Sequence, residues 1–138
     1  MPLRMAIDDY WFKNAVIYCL NVATYMDCNG DGIGDFEGLS RRFDYLAGLG
    51  VTCVWLQPFC CSPNRDNGYD ISDYYNVTPR FGTSGDFVEC LNTAQALGLR
   101  VVVDLVANHT SIDHPWFQAA RADPKSPYRD WYVWADKR

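Results

Sequence analysis

The sequence has 138 residues, 49% hydrophobic and 15% aromatic, which is enough apolar material for one domain-sized core. Its net charge of -5 argues against nucleic acid or an acidic membrane surface as partner, since both favour basic patches, and is compatible with a neutral substrate. Residues 1–11 carry no apolar leader core, so no signal peptide is expected, and the longest apolar stretch, residues 101–107, is interrupted by Asp104 and far too short to span a membrane.

In chain order, residues 15–20 are a short apolar run that reads as a first strand. A Gly/Asp-rich loop, residues 27–38, follows. Leu39, Phe43, Leu46 and Ala47 then share one helical face, and Gly50 marks the helix end. Residues 51–56 form a second run rich in β-formers, which empties into a long loop, residues 58–82, with Pro, Asn, Asp and Gly throughout. Thr83 and Asp86 have the spacing of a capping box; Phe87, Leu91 and Ala94 give the next amphipathic helix, and Gly98 ends it. Residues 101–106 are a third, nearly continuous apolar run, as suits strands buried on both faces of a parallel sheet. A short helix is expected to begin near His114 and Pro115 and to stop before Pro124.

This alternation predicts an α/β fold with parallel strands and right-handed crossovers. A doubly wound sheet and a barrel both fit, and the pattern alone does not choose. A dinucleotide-binding sheet would carry GxGxxG directly after a strand; the loop after the first run is instead acidic and would repel phosphates.

Three clusters carry chemistry. In the first, Asp27, Asn29, Asp31 and Asp35 stand at loop positions one, three, five and nine, with Gly32 at position six. An EF-hand loop uses this spacing to wrap hard oxygens about Ca²⁺, with the backbone carbonyl of position seven, here Ile33. Gly38 replaces the Glu of position twelve and no helix pair flanks the loop, so a ligand loop is supported and a calcium-sensor switch is not. A Gly/Asn/Asp turn with a solvated acidic face is the other reading. The second cluster is Asn64-Arg65-Asp66-Asn67-Gly68-Tyr69-Asp70, in the loop after the second run. The C-terminal ends of parallel barrel strands form the active-site face. There a carboxylate such as Asp66 accepts bonds from sugar hydroxyls, and a ring such as Tyr69 stacks on the sugar's C–H face. An Asp-Asn-Gly turn with Tyr69 as a packed anchor fits equally.

The third cluster is Asp104-Leu105-Val106-Ala107-Asn108-His109. A charge inside a buried strand costs several kcal/mol unless paired, so Asp104 is expected to have a strong partner, a cation from elsewhere in the fold; structural ion pairs do the same. His109 is expected just past the strand end, facing the pocket, whereas His114 reads as a helix-start residue. Trp116, Phe117, Tyr128, Trp131, Tyr132 and Trp134 read as the core of a small inserted subdomain, with a sugar subsite as the alternative. The six cysteines (Cys19, Cys28, Cys53, Cys60, Cys61 and Cys90) form no CxxC pair and no zinc spacing with His109 or His114. They read as reduced thiols, Cys19 and Cys53 as small core residues, and with no leader this points to the cytoplasm.

From Trp11 to the end, these residues in this order resemble the α-amylase superfamily of glycoside hydrolases, family thirteen. Val103-Asp104-Leu105-Val106-Ala107-Asn108-His109 resembles the family's first signature segment. The Asp27 to Asp35 segment resembles the Ca²⁺ loop of its α-glucosidase and trehalose synthase branches. Trp55-Leu56-Gln57-Pro58-Phe59, the segment from Ser62 to Asp70, His114-Pro115-Trp116-Phe117 and Tyr128-Arg129-Asp130-Trp131-Tyr132-Val133-Trp134 are most similar to trehalose synthases and oligo-α-glucosidases. Cys28 and Cys60-Cys61 are unusual for that branch.

The resemblance implies an α/β fold: about three β-α units from the N-terminal part of a (β/α)8 TIM barrel (residues 1–109), then the start of the domain inserted after strand three (residues 110–138). A whole barrel takes roughly 250 residues. It implies that Asp66, Tyr69 and His109 contact the glucosyl ring: Asp66 through hydroxyls far from the reacting carbon, Tyr69 by stacking beneath it, His109 at the primary hydroxyl. Asp104 would hold a basic residue that orients the nucleophile. Ca²⁺ would be bound by Asp27, Asn29, Asp31, Ile33 and Asp35, and a second Ca²⁺ near the domain junction by Asn108, as in part of the family. No organic cofactor is implied. The family is retaining, and its nucleophilic Asp and general-acid Glu, about 5–5.5 Å apart, are expected beyond Arg138, so neither Asp66 nor Asp104 takes their role. The implied activity is hydrolysis of an α-glucoside such as maltose, or its trehalose synthase-like isomerisation. The alternative is a catalytically inactive fragment, at most a weak sugar or calcium binder.

Overall fold

The computed structural model describes residues 10–135. Residues 1–9, which bear most of the expectation about a leader, and residues 136–138, at the end of the expected inserted domain, lie outside them.

In chain order the elements are β1 (Ile17–Leu20), α1 (Phe36–Ser40), α2 (Phe43–Gly48), β2 (Cys53–Leu56), β3 (Cys60–Cys61), β4 (Asp73–Val77), α3 (Ser84–Ala96), β5 (Arg100–Val103) and α4 (Pro115–Ala122), with short 3-10 turns between. The three apolar runs become a parallel sheet in the order β1-β2-β5, with Tyr18 opposite Val54 and Val54 opposite Val101. The third strand is shorter than its run. Asp104 still donates its amide to the Leu56 carbonyl at 3.2 Å, but β2 ends there, and without a neighbour to bond the chain turns away.

One face of this sheet is covered. Leu20, Val54 and Leu56 lie under Phe36, Leu39, Phe43 and Leu46 from α1 and α2, and Cys90 and Ala94 from α3 complete the layer. The rings of Phe36, Phe59 and Phe87 meet with centroids 4.6–5.4 Å apart. Each such large apolar side chain contributes about 1.5–3 kcal/mol by leaving water. The expected apolar helical stripe is present but broken between α1 and α2, where the Arg42 amide bonds the Leu39 carbonyl at 3.0 Å, three residues back, tightening the turn.

The other face is covered only in part: Cys53 is buried there, and the Arg100 guanidinium lies 4.9 Å from the Trp11 ring. Ile17 is 49% and Trp55 41% exposed. Cys19 shares register with Trp55 and is exposed, contrary to its expected place in the core; Cys53 is buried as expected. All six cysteines are free.

The local signals hold where they are self-contained. Thr83 and Asp86 form both halves of a capping box on α3. His114 caps α4, with Pro115 in the first turn, and α4 ends at Ala122. The loop of residues 58–82, which reads as irregular, contains an antiparallel pair, β3 with β4. Among the described residues no helix is long and apolar enough to cross a membrane.

Candidate functional site

The loop between β3 and β4 is organised by Asp70. Its carboxylate accepts the Ser62 hydroxyl at 2.7 Å and the amides of Arg65 and Asp66 at 3.0 and 3.1 Å. Burial pushes its pKa up, but these donors outweigh burial and leave it below the usual carboxylate range. Asn67 and Gly68 take left-handed backbone, φ 50° and 91°, which Asn and Gly tolerate best. The Tyr69 amide closes the turn onto the Asp66 carbonyl at 2.9 Å, and the Tyr69 ring is carried toward the C-terminal end of β5.

There the Tyr69 hydroxyl donates to Asp104 Oδ2 at 2.6 Å, and the Trp55 indole N–H donates to Asp104 Oδ1, also at 2.6 Å. This corrects the expectation for Asp104. It lies one residue past β5 rather than within a strand and is half-buried, and among the described residues its side chain accepts from two neutral donors. The bond to Asp104, with burial second, pushes the Tyr69 phenol up to about 12, because ionising it would set two anions against each other.

Tyr69, Asp104 and residues 105–109, including His109, line a single hollow of about 360 Å³. His109 is exposed there, its Nδ1 3.1 Å from the Asn108 side-chain nitrogen. Asp66 is not part of this lining. Its amide is tied to Asp70, and its exposed carboxylate lies near enough to Tyr69 to raise the phenol slightly further. Across residues 105–109 lies a second hollow of about 520 Å³, walled by Tyr74, Trp116, Trp131 and Tyr132. Tyr74, which nothing in the sequence singles out, donates its hydroxyl to the carbonyls of Val106 at 2.8 Å and His109 at 3.0 Å, bracing the segment that presents His109. The aromatic group packs on itself: Trp116 meets Trp131 at 5.1 Å, Phe117 meets Tyr132 at 5.1 Å and stacks on Trp134 at 5.9 Å. His114 is buried, and its Nδ1 accepts the Trp116 amide at 3.1 Å; burial pushes its pKa down against the opposing pull of Asp73.

In the loop of residues 27–38 the oxygens bind their own backbone. Asp27 accepts the amides of Gly30 and Gly32, both at 2.7 Å; these, Gly32 foremost, hold its carboxyl below the usual range. Asn29 accepts from Asp31 at 2.9 Å and Asp31 from Ile33 at 2.8 Å. Asp35 is buried, caps α1 through Gly38 at 2.6 Å and holds the Cys28 amide at 3.0 Å. A Cβ on Gly38 would collide with the Met26 carbonyl oxygen, so the twelfth position admits no Glu. The donor set is hard oxygen, the chemistry Ca²⁺ takes. Among the described residues, however, no three His, Cys, Asp or Glu converge closely enough to hold a metal ion.

Residues 19–138 match the family described as alpha amylase, catalytic domain. The chain is 57% identical over 130 residues to the trehalose synthase of Thermus thermophilus, covering 94% of this chain and 13% of that protein. It is 54% identical over 129 residues to the trehalose synthase/amylase TreS of Mycobacterium tuberculosis, covering 94% of this chain and 22% of the relative. A crystal structure of a MutB mutant in complex with the substrate sucrose superposes with a TM-score of 0.89 at 48% identity, over 92% of this chain and 23% of that one. The chain thus spans less than a quarter of the length of each of these proteins.

Proposed function

Because this chain belongs to the alpha-amylase catalytic-domain family and forms part of that family's (β/α)8 barrel, we propose that the whole protein cleaves α-glucosidic bonds through a glucosyl-enzyme intermediate. Transfer to water makes it a hydrolase. Transfer back to a retained glucose makes it a trehalose synthase-like isomerase of maltose, the reading favoured by the trehalose synthases among its relatives. The supporting observation is that Tyr69, Asp104 and His109 line one hollow at the end of the sheet where barrel enzymes carry their chemistry.

In this reading Tyr69 offers an uncharged ring to the sugar's C–H face, its proton held by Asp104. His109 holds the primary hydroxyl. Asp66, the one free carboxylate of its loop, reaches hydroxyls far from the reacting carbon. Each Asp104 oxygen has two acceptor sites, so after Trp55 and Tyr69 are bound one site remains on each for the basic residue that orients the nucleophile. The nucleophile and acid lie outside these residues. Incubation of the whole protein with maltose is expected to yield glucose or trehalose, and the absence of both refutes the reading.

Ca²⁺ is proposed for the side-chain oxygens of Asp27, Asn29, Asp31 and Asp35 and the Ile33 carbonyl, where it would supply rigidity to the loop ahead of α1. Asn108 has its carbonyl oxygen left for a second ion. Calorimetric titration of Ca²⁺ into the whole protein is expected to lose one site on Asp31→Ala, and an unchanged count refutes the loop assignment. A second reading concerns the 138 residues by themselves. Open outer edges on β1 and β5 and a partly covered sheet face favour an inactive, aggregation-prone chain, which measurable maltose turnover by it would overturn.

A further inference from the structure

Asp104 is held from two sides, and only one holder comes from the sugar-binding loop. The other, Trp55, sits in β2, 49 residues away in sequence. Its register partners are Cys19 and Val102, and Asp104 follows Val102 by two residues, so strand alternation puts both on the partly covered face of the sheet. Among the described residues Trp55 is 41% exposed there, outside the layer packed under α1, α2 and α3. Among the described residues its side-chain hydrogen bond is from the indole N–H to Oδ1, 2.6 Å away, while Tyr69 takes Oδ2 at the same distance.

A carboxylate bonded through a single oxygen can still rotate about its Cβ–Cγ bond. One bonded by a separate donor on each oxygen cannot, and charge-assisted bonds of this length are the stronger kind. We propose that Trp55 is a positioning residue for the glucoside-cleaving site: with Tyr69 it locks the Asp104 carboxylate in rotation, fixing which acceptor sites remain free and where the Tyr69 ring lies. This rests on the function proposed above. Trp55 touches no substrate and acts through Asp104.

The test uses the whole protein. The indole N–H proton resonance of Trp55, identified by its loss in Trp55→Phe, is expected to move upfield in Asp104→Asn as the charged acceptor disappears; an unmoved resonance overturns the proposal whatever the activity. Trp55→Phe keeps an aromatic ring, a smaller one, and removes the donor. It is expected to lower kcat on maltose about tenfold, with KM changed less than about twofold and the melting temperature lowered by no more than a few degrees. In an Asp104→Asn background it should cost nothing further, since the two residues act as one unit. Equal losses in both backgrounds would make Trp55 an independent structural residue and overturn the assignment. Wild-type protein without maltose turnover instead refutes the proposed function, while the resonance still reports separately on the Trp55–Asp104 pair.

Discussion

On the face of the sheet turned toward α1, α2 and α3, Leu20, Val54 and Leu56 are exposed by 5% or less beneath a layer of Phe and Leu. On the opposite face Ile17, Cys19 and Trp55 stand open, and the contacts that matter are two hydrogen bonds to Asp104. Both faces belong to the same three strands. Among the described residues the first is held by volume, and what the second offers is donor geometry. Damage to the first should appear as lost stability, and damage to the second as lost function in a protein that still folds.

The sharpest division comes from Phe36, which is fully buried. Phe36→Ala is expected to cost about 3–5 kcal/mol in denaturant unfolding, whereas Trp55→Phe should cost less than about 1 kcal/mol; similar losses would erase the distinction between the faces. At the rim of the covered face, Thr83→Ala removes half of the α3 capping box and should cost about 1 kcal/mol, read in the same experiment. A loss near zero would mean that the first turn of α3 is held by packing alone.

Titration probes the open face. The Tyr69 phenol is raised from 10.0 to about 12, so the fold favours its neutral form. That contribution is complete below pH 10 and is lost as pH rises through about 12. Phenolate absorbance should show a late-titrating tyrosine, later than Tyr25 and Tyr74, that titrates earlier in Asp104→Asn, and no change would separate Tyr69 from Asp104. The smallest effect belongs to His114, whose pKa is lowered from 6.5 by burial. It is held neutral in the fold, so its contribution is complete above pH 6.5 and falls away as pH drops below that value. His114→Asn replaces the capping ring nitrogen with an amide oxygen that does not titrate, and should flatten this acid limb of stability.

The covered face was legible in the sequence because its signals are short-range. Apolar runs, the Thr83–Asp86 spacing and the His114-Pro115 helix start each depend on neighbours within a few residues. The open face was legible only in part. Residue type and order pointed to Tyr69, Asp104 and His109, but the Trp55 bond spans 49 residues and leaves no periodic trace. Asp104 looked internal because its apolar run continues to Val106, whereas the length of β2 decides where β5 stops. Asp70 reads as one more loop acid, and its control of the turn shows only when Ser62 and the amides of Arg65 and Asp66 fold back onto it. Nothing in the sequence marks Tyr74 as the brace beneath His109.

The most direct test of a sugar-gripping hollow is kcat/KM for maltose in the whole protein and in its His109→Ala variant, with melting temperatures alongside. A loss of about ten- to hundredfold, as follows from leaving a substrate hydroxyl without its partner, at unaltered melting temperature is the expected result. An unchanged kcat/KM would contradict the claim that His109 faces a glucosyl ring.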